Sequence, residues 1–495
     1  MKRSNRVLAF TLIVFLLILS TTAYSLDKKT GFIPNAYIQG DVKQVVNLKE
    51  LQGVTTREIE YKNHKLKVYP LKVILDKAEP INEKYEIVFS AQDGLRARIS
   101  SDKIAESYIH FSPAYGWEAI NLNHPISSNI KLIESITVVA KGEPNKNIFS
   151  IITPTENLLT KTPGQLLTGS YLRKVVFEGE STQKIEGVNY SASIYSEKKV
   201  LQPEEMINKK IDSRTILFNE QGKTLRYKGG YLELNKNFVN YINPGQKESL
   251  KNVRGIELDA PLKSNKDTFY DALHYLENDN RVLIVLLDGF GYHQFKYLKE
   301  NGQIPYLSKI ENVSQAITSY KPVTNTGLAA VLTGKGPSEN GIYNREFKNL
   351  KVPDIFKKAS ELGLKSVYIE GNIKILNTSI EPILNPDLNE NNTTDDEVFD
   401  ETKKQIAGEA DLIFAHLHGI DDNGHNFGPF GDKTIEVIKK TDDYLKQLAE
   451  NWDGKIIITS DHGMHSTKEG GDHGSVLYQD MFVPYLITEG VNSNE

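Results

Sequence analysis

The fold is decided by the stretch RVLIVLLDGFG at positions 281–291, a nearly unbroken apolar run that ends in an aspartate and a glycine. Two later stretches have the same pattern of consecutive apolar residues, DLIFA at 411–415 and KIIIT at 455–459. Strands that are buried on both faces of a parallel sheet have continuous apolar runs of this kind. Helical patterns lie between them, at 352–362 and 434–451. We therefore expect residues 263–495 to form an α/β domain with a mostly parallel sheet between helices.

The first half of the chain has a different pattern of apolar and polar residues. Short alternations of apolar and polar residues at 65–69 and 85–89 are bounded by turn residues and predict strands. The segment 225–234 has Gly229-Gly230 between two alternating arms and predicts a hairpin. The change of pattern predicts a domain boundary at 260–263. The preceding β-rich domain, residues 27–260, is expected to pack on the α/β domain or to bind cell-surface material.

Residues 1–25 have the features of an export signal. Lys2, Arg3 and Arg6 form a basic start, and residues 7–19 form an apolar run. This run is shorter than the about 20 residues that span a membrane. A cleaved signal peptide and an uncleaved N-terminal membrane anchor through residues 7–19 both stay open. Either one places the rest of the chain in the extracellular space or on the outer side of the cytoplasmic membrane.

The amino-acid composition excludes several kinds of functional site and partner. The 495 residues include no cysteine, which excludes disulfides, cysteine nucleophiles and thiolate metal sites. The formal net charge of -5 comes with no nucleic-acid-binding signature, since such proteins normally carry a basic face. Any metal must therefore bind to histidine, carboxylate or hydroxyl ligands.

Histidines and aspartates cluster after the predicted strands. Six of the eleven histidines lie between His416 and His473. Each cluster member alone is equally well explained as a helix cap or a polar loop residue. Together, three carboxylates and three imidazoles suit two divalent metal ions, with zinc as the default and manganese as the alternative. The candidate ligands are Asp288, Asp421, His425, Asp461, His462 and His473. His416, His418 and His465 are either partners that orient these ligands or polar loop residues.

A nucleophile is predicted in the segment KPVTNTG at 321–327, which follows a strand-like stretch at 316–320. It opens a helix that we expect to include residues 328–332. A hydroxyl at a helix N-terminus lies where free backbone N–H groups and the helix dipole favour a phosphate. Thr324 or Thr326 can be a nucleophile there, or can simply cap the helix.

Five motifs resemble those of the alkaline phosphatase superfamily, and most closely its type I phosphodiesterase/nucleotide pyrophosphatase branch, in order and spacing over residues 281–489. They are LLDGF at 286–290, PVTNT at 322–326 with LTG at 332–334, DDNGH at 421–425, SDHGM at 460–464 and DHG at 472–474. The resemblance implies an alkaline-phosphatase-like fold and two bound metals. It assigns Asp288, Thr324, Asp461 and His462 to one metal, and Asp421, His425 and His473 to the other. It also implies in-line attack by Thr324 on phosphorus and hydrolysis of a phospho-threonine intermediate.

One position departs from this branch. Many of its phosphodiesterases have an asparagine three residues after the nucleophile, and this chain has Gly327. Asn325 or the backbone N–H groups of the helix start are expected to bind the non-bridging oxygen instead. Lys335 and Arg345 are the nearest cationic candidates for binding a monoester dianion, but both are better explained as solvated surface charges.

The predicted function is that of an exported two-metal hydrolase that acts on a small-molecule or polymer phosphate ester, as a phosphodiesterase or nucleotide pyrophosphatase. A phosphomonoesterase or a phosphonate hydrolase of the same fold is the close alternative. A non-catalytic cell-surface binding protein is less favoured, because the predicted ligand set is complete. A sulfatase is disfavoured, because TNTGL at 324–328 lacks the Cys or Ser followed by Pro and Arg of that class.

Overall fold

The structure is a computed structural model that describes residues 33–51, 53–142, 148–211 and 214–491. The predicted export signal at residues 1–25 lies outside these ranges, so its cleavage and membrane attachment remain predictions. Within the described ranges, no helix is long and apolar enough to cross a membrane.

The chain divides into two compact units. Among the described residues, one contains 33–142 with 162–170, and the other contains 148–161 with 171–491. The predicted boundary at 260–263 does not coincide with this division, because the preceding strands pack on the α/β part. Phe218 stacks on Tyr320 with ring centroids 5.7 Å apart, and Asn157 Nδ2 donates to Gln479 Oε1 at 3.0 Å.

The first unit is rich in strands, as predicted for this part of the chain. A five-stranded and a four-stranded sheet share an apolar core that includes Ile38, Phe89 and Ile136. The strands are Tyr37–Gly40, Val46–Asn47, Arg57–Tyr61, His64–Pro70, Tyr85–Ala91, Arg96–Ser100, Ser107–Ser112, Gly116–Asn121 and Ile133–Ala140, and the helices are Leu71–Ala78 and Pro163–Thr168. The strands predicted at 65–69 and 85–89 are confirmed.

The second unit begins with a nine-stranded sheet. Its strands are Phe149–Ile152, Asn157–Lys161, Leu172–Ile185, Val188–Leu201, Ile216–Asn219, Thr224–Arg226, Tyr231–Asn235, Phe238–Asn243 and Glu248–Glu257, with one helix at Pro203–Ile207. The hairpin predicted at 225–234 is wrong. Thr224–Arg226 pairs with Ile216–Asn219, whereas Tyr231–Asn235 pairs with Phe238–Asn243. Gly229-Gly230 is a connection between these pairs, and the Tyr241 hydroxyl donates to the Gly229 carbonyl at 2.6 Å.

The predicted α/β domain is confirmed by an eight-stranded, mostly parallel sheet. Its strands are β1 (Lys263–Ser264), β2 (Val282–Leu287), β3 (Val313–Ile317), β4 (Ser366–Glu370), β5 (Ile383–Leu384), β6 (Leu412–Leu417), β7 (Lys455–Thr459) and β8 (Phe482–Glu489). They are ordered β1-β3-β8-β7-β2-β6-β4-β5 across the sheet. Strands β2 and β6 are buried along their whole length, which explains their unbroken apolar runs. Only β8 runs antiparallel to its neighbours β3 and β7.

Helices cover both faces of this sheet. They are α1 (Asp267–Glu277), α2 (Tyr292–Glu300), α3 (Thr324–Thr333), α4 (Pro337–Asn340), α5 (Ile355–Glu361), α6 (Asp395–Ile406), α7 (Gly419–Phe427), α8 (Asp432–Asn451) and α9 (Tyr478–Met481). Two apolar clusters lie on opposite faces, because alternate residues of β2 enter one or the other: Leu283 and Val285 on one side, Ile284 and Leu286 on the other. The helices predicted at 352–362, 434–451 and 328–332 correspond to α5, α8 and α3.

The parallel strands β2, β6 and β7 are neighbours, so their carboxyl ends meet at one edge of the sheet. Ligands of open α/β sheets bind beyond this edge. Asp288 follows β2, α7 with Asp421 follows β6, and Asp461 follows β7.

Candidate metal centre and nucleophile

Four predicted residues converge beside β2. His462 Nε2 lies 3.3 Å from Asp288 Oδ1, 3.5 Å from Asp461 Oδ2 and 3.4 Å from Thr324 Oγ1. Asp288, Asp461 and His462 are all buried, and they form a group of the size that holds a metal ion. The structure thus brings together the four residues that the resemblance assigned to one metal.

A second group lies beside the first. Asp421 Oδ2 lies 3.4 Å from His425 Nε2, and Asp421 Oδ1 lies 3.7 Å from His473 Nε2. The ring of His473 stacks on that of His462 with centroids 3.8 Å apart. The two groups are therefore adjacent, as a two-metal site requires.

The side chains are held so that their remaining atoms face the centre. The Nδ1 atoms of His425, His462 and His473 contact the carbonyls of Gly471, Gly463 and Pro322 at 3.1, 3.1 and 3.0 Å. A proton on Nδ1 that is donated to a carbonyl leaves the Nε2 lone pair free for a metal, which is the usual arrangement of ligating histidines.

The carboxylates give the test of whether divalent ions fit. Asp461 Oδ1 accepts backbone N–H groups from Gly289 at 3.2 Å and His462 at 2.9 Å, whereas its Oδ2 is buried without a hydrogen-bond partner. Asp288 Oδ1 and Asp421 Oδ1 are buried without a partner as well. Unpaired buried carboxylate oxygens are costly, and a divalent ion on each group would satisfy them. The residues therefore fit two metal ions.

The pKa values of the clustered aspartates and histidines are shifted by burial and by the charges of their neighbours. Burial raises the pKa of Asp461 to about 7, and the negative charge of Asp288 adds to the effect. For His462, burial acts to lower the pKa, but the negative charges of Asp461 and Asp288 outweigh it and raise the value to about 10. Burial and the neighbouring His462 lower the pKa of His473 to about 3, so this ring is neutral and suited to ligation.

At two glycines the backbone lies so close to the candidate ligands that a side chain would overlap them. At Gly289, where φ is +74°, a side chain would put its Cβ 2.8 Å from Asp421 Oδ1. At Gly327, within α3, a Cβ would lie 2.2 Å from the carbonyl oxygen of Asp461. No asparagine can therefore replace Gly327 on this backbone. The glycine at this departure from the pattern of the branch therefore allows the close approach of α3 to Asp461.

Helix α3 places the candidate nucleophile. It begins at Thr324, so the hydroxyl and the free N–H groups of the first turn lie at the same end. Thr324 Oγ1 faces His462, whereas the Thr326 side chain is completely buried and its Oγ1 has no hydrogen-bond partner. The contacts favour Thr324 over Thr326.

Of the other residues predicted to contact the substrate, one reaches the candidate metal centre and two have different contacts. Asn325 Nδ2 donates to the Phe347 carbonyl at 3.2 Å, so it ties the start of α3 to the following loop. Lys335 lies past the opposite end of α3, and its Nζ is 3.6 Å from Glu339 Oε1. Arg345 does reach the centre, because its Nη2 lies 3.0 Å from His473 Nε2.

A cluster behind Asp288 includes one residue that the sequence did not single out. Asp288 Oδ2 lies 3.0 Å from His418 Nδ1 and 3.6 Å from His416 Nε2. The other nitrogens of these rings face Glu370, which ends β4, at 2.6 Å for His418 and 3.1 Å for His416. His465 is elsewhere and contacts Asp480 at 2.8 Å. The short apolar stretch SVYIEG at 366–371, which was not predicted as a strand, ends in this acidic residue and is the signal that could have pointed to Glu370.

The fold and the centre define an α/β domain that carries a carboxylate–imidazole site with a hydroxyl at its edge. Residues 282–362 and 376–484 match the family type I phosphodiesterase / nucleotide pyrophosphatase. This match covers less than half of the chain, and it agrees with the resemblance carried by the five motifs. Members of the family are metal-dependent and act on phosphoesters.

The chain is also similar to GPI ethanolamine phosphate transferase 1. Identity is 36% over 90 residues for the protein of Mus musculus and 37% over 94 residues for that of Homo sapiens. Each match spans 17% of this chain and only 9% and 10% of those proteins.

Among solved structures, phosphonoacetate hydrolase from Sinorhizobium meliloti 1021 shares 18% identity at a TM-score of 0.31, over 37% of this chain and 57% of that one. Murine ectonucleotide pyrophosphatase / phosphodiesterase 5 shares 20% identity at the same TM-score, over 38% of this chain and 58% of that one.

Proposed function

We propose that this chain is an exported two-metal hydrolase of phosphate diesters and pyrophosphates, with Thr324 as its nucleophile. The observation that carries the proposal is the convergence of Thr324 Oγ1 with unpaired, buried carboxylate oxygens around His462 Nε2. One ion would be held by Asp288, Asp461 and His462 together with Thr324. The other would be held by Asp421, His425 and His473. Zinc suits these ligands best, with manganese as the alternative.

Bound divalent ions would neutralise the carboxylates, lower the pKa of the Thr324 hydroxyl and counter the charge of the reacting phosphate. The start of α3 presents free N–H groups, which bind non-bridging phosphate oxygens. Thr324 Oγ forms a bond to phosphorus as the bond to the leaving oxygen breaks. Water then attacks the phospho-threonine, and the Thr324 oxygen leaves and regains its proton.

The likeness to proteins named as ethanolamine phosphate transferases favours a second candidate, transfer to an alcohol. In that case an acceptor hydroxyl takes the place of water in the second step. A phosphomonoesterase or phosphonate hydrolase would use the same Thr324 chemistry on a different phosphorus centre.

The test compares hydrolysis of bis-p-nitrophenyl phosphate and p-nitrophenyl phosphate by zinc-loaded protein, with a chelator-treated sample and Thr324→Ala as controls. We expect faster cleavage of the diester, abolished by chelation and by the substitution. Preference for the monoester would reassign the chain to a phosphatase. Release of p-nitrophenol that rises with added ethanolamine or glycerol would favour the transferase. No turnover of any ester by metal-loaded protein would contradict the proposal.

The proposed export depends on residues 1–25. Fractionation of cells that express the full chain and a chain without residues 1–25 tests it. We expect the full chain outside the cytoplasmic membrane, either released or membrane-bound, and the shortened chain inside. Retention of the full chain in the cytoplasm would contradict export.

A further inference from the structure

A cavity lined by cations and acids adjoins the second carboxylate–imidazole group. It has a volume of about 260 Å³, and its lining includes His425 and His473. Two cations, Lys321 and Arg345, share the lining with two acids, Glu346 and Asp472. The cavity therefore opens directly onto the candidate metal centre.

Arg345 is the cation that reaches the reacting end of the cavity. Its Nη2 lies 3.0 Å from His473 Nε2, the nitrogen that is predicted to bind a metal. Within the described ranges, the Arg345 guanidinium forms no ion pair with a carboxylate. A guanidinium carries five N–H donors in a planar fork that matches phosphate oxygens. When His473 Nε2 is engaged by a metal, the Arg345 guanidinium is released from this contact and can donate to an anionic substrate oxygen in the adjoining cavity.

Lys321 lies close to Gly474, the residue that follows His473. Its Cε is 3.6 Å from the position that a Cβ would take on Gly474. The loop that carries Arg345 is tied to the nucleophile helix, because Asn325 Nδ2 donates to the Phe347 carbonyl at 3.2 Å. The two cations are therefore positioned by the same segments that present Thr324 and His473.

The acids in the lining differ in their contacts. Asp472 Oδ1 accepts the backbone N–H of His473 at 2.8 Å, so this carboxylate is already engaged in the turn. Glu346 follows Arg345 directly, and its carboxylate opposes the binding of an anion in the cavity. Removing Glu346 and removing Arg345 should therefore have opposite effects on anion affinity.

We propose that Arg345, assisted by Lys321, determines specificity by binding a second negative charge on the substrate, beyond the single charge of a simple diester. That charge belongs either to the cleaved phosphate itself, as in a monoester dianion, or to a neighbouring phosphate, as in a pyrophosphate. The inference rests on the proposed phosphoester chemistry of this site and adds a substrate class to it.

The experiment compares Arg345→Gln with Lys348→Gln, a matched control that removes a cation from an exposed position on the same loop. The kcat/KM values are measured for bis-p-nitrophenyl phosphate, p-nitrophenyl phosphate and UDP-glucose. Loss of a charge-assisted contact predicts a fall of about 10- to 100-fold for the doubly charged substrates in Arg345→Gln. Cleavage of the simple diester should change by less than about threefold. A fall confined to the monoester or to the pyrophosphate tells which phosphate carries the second charge.

Binding of inorganic phosphate to the metal-loaded proteins, measured by calorimetry, separates this inference from the proposed function. Weaker phosphate binding in Arg345→Gln, unchanged binding in Lys348→Gln and tighter binding in Glu346→Gln would support the anion site even if the wild-type protein hydrolyses none of the esters. Equal losses for all three substrates would overturn the inference while leaving the hydrolase proposal intact. So would unchanged binding in Arg345→Gln of both inorganic phosphate and inorganic pyrophosphate, measured in the same way.

Discussion

Glu370→Gln tests whether the cluster behind Asp288 supports metal binding. The Glu370 side chain is completely buried and contacts His418 Nε2 at 2.6 Å and His416 Nδ1 at 3.1 Å. Both histidines in turn contact Asp288 Oδ2, and this leaves Oδ1 for the ion. Glutamine keeps the volume and a hydrogen-bonding oxygen but removes the negative charge, so that the contact with each ring loses its ion-pair character.

The free energy lost in Glu370→Gln can be estimated from the two hydrogen bonds that are weakened. Hydrogen bonds to charged groups contribute about 1.5–3 kcal/mol each, and neutral ones about 0.5–1.5 kcal/mol. Two such replacements weaken the cluster by about 2–3 kcal/mol. Part of this loss should appear in stability and part in metal affinity, for which loss of an outer partner typically costs about 10- to 100-fold.

The assay is a competitive titration of zinc against a chromophoric chelator, which resolves two binding steps. We expect the affinity of the step assigned to Asp288, Asp461 and His462 to fall, and the affinity of the step assigned to Asp421 to change little. Glu361→Gln, an exposed change in α5, is the control and should leave both steps unchanged. Unaltered affinities in Glu370→Gln, with a normally folded protein, would refute the reasoning.

Three further predictions use other residues. Thr324→Ala should abolish turnover, whereas Thr326→Ala should leave a folded enzyme with measurable activity; the reverse result in steady-state kinetics would move the nucleophile to Thr326. Asp421→Ala should lower metal content, measured by mass spectrometry, by about one ion per chain, and full occupancy would break the assignment of ligands. Burial raises the pKa of Glu257 well above its ordinary range, so its contribution to stability is fully present below the unfolded-state pKa and is lost as pH rises. Thermal unfolding should show Glu257→Gln gaining stability over the wild-type chain as pH increases from 4 to 8, and a constant difference would contradict this.

The sequence predicted the parallel sheet because the burial of β2 and β6 on both faces leaves an unbroken apolar run. The central antiparallel strand β8 also has an apolar run, FVPYLI at 482–487, but it was not predicted as a strand. Pro484 lies inside it, and a proline ordinarily argues against a central strand because it lacks an N–H donor. In the structure the Pro484 carbonyl accepts a hydrogen bond from Thr459 Oγ1 at 3.0 Å.

The candidate site was predictable to the extent that it lies in short motifs. Asp288, Asp421 and Asp461 each follow a strand that the sequence identifies, so their convergence followed from strand order. Glu370 was missed because its partner histidines are 46 and 48 positions away and no local pattern links them. The packing of Phe218 on Tyr320, which displaces the division into compact units from 260, is likewise a long-range contact.

The contact between Gly327 and the Asp461 carbonyl limits how this active site can diversify. Since a Cβ at position 327 would overlap a backbone oxygen, every amino-acid replacement there must displace either the nucleophile helix or the turn that carries Asp461. Recognition of the phosphate can change with less displacement of the backbone from the exposed loop around Arg345, from Lys321 or from Asn325. A directed-evolution library that seeks new substrates should vary the loop at 343–348 and leave 327 fixed.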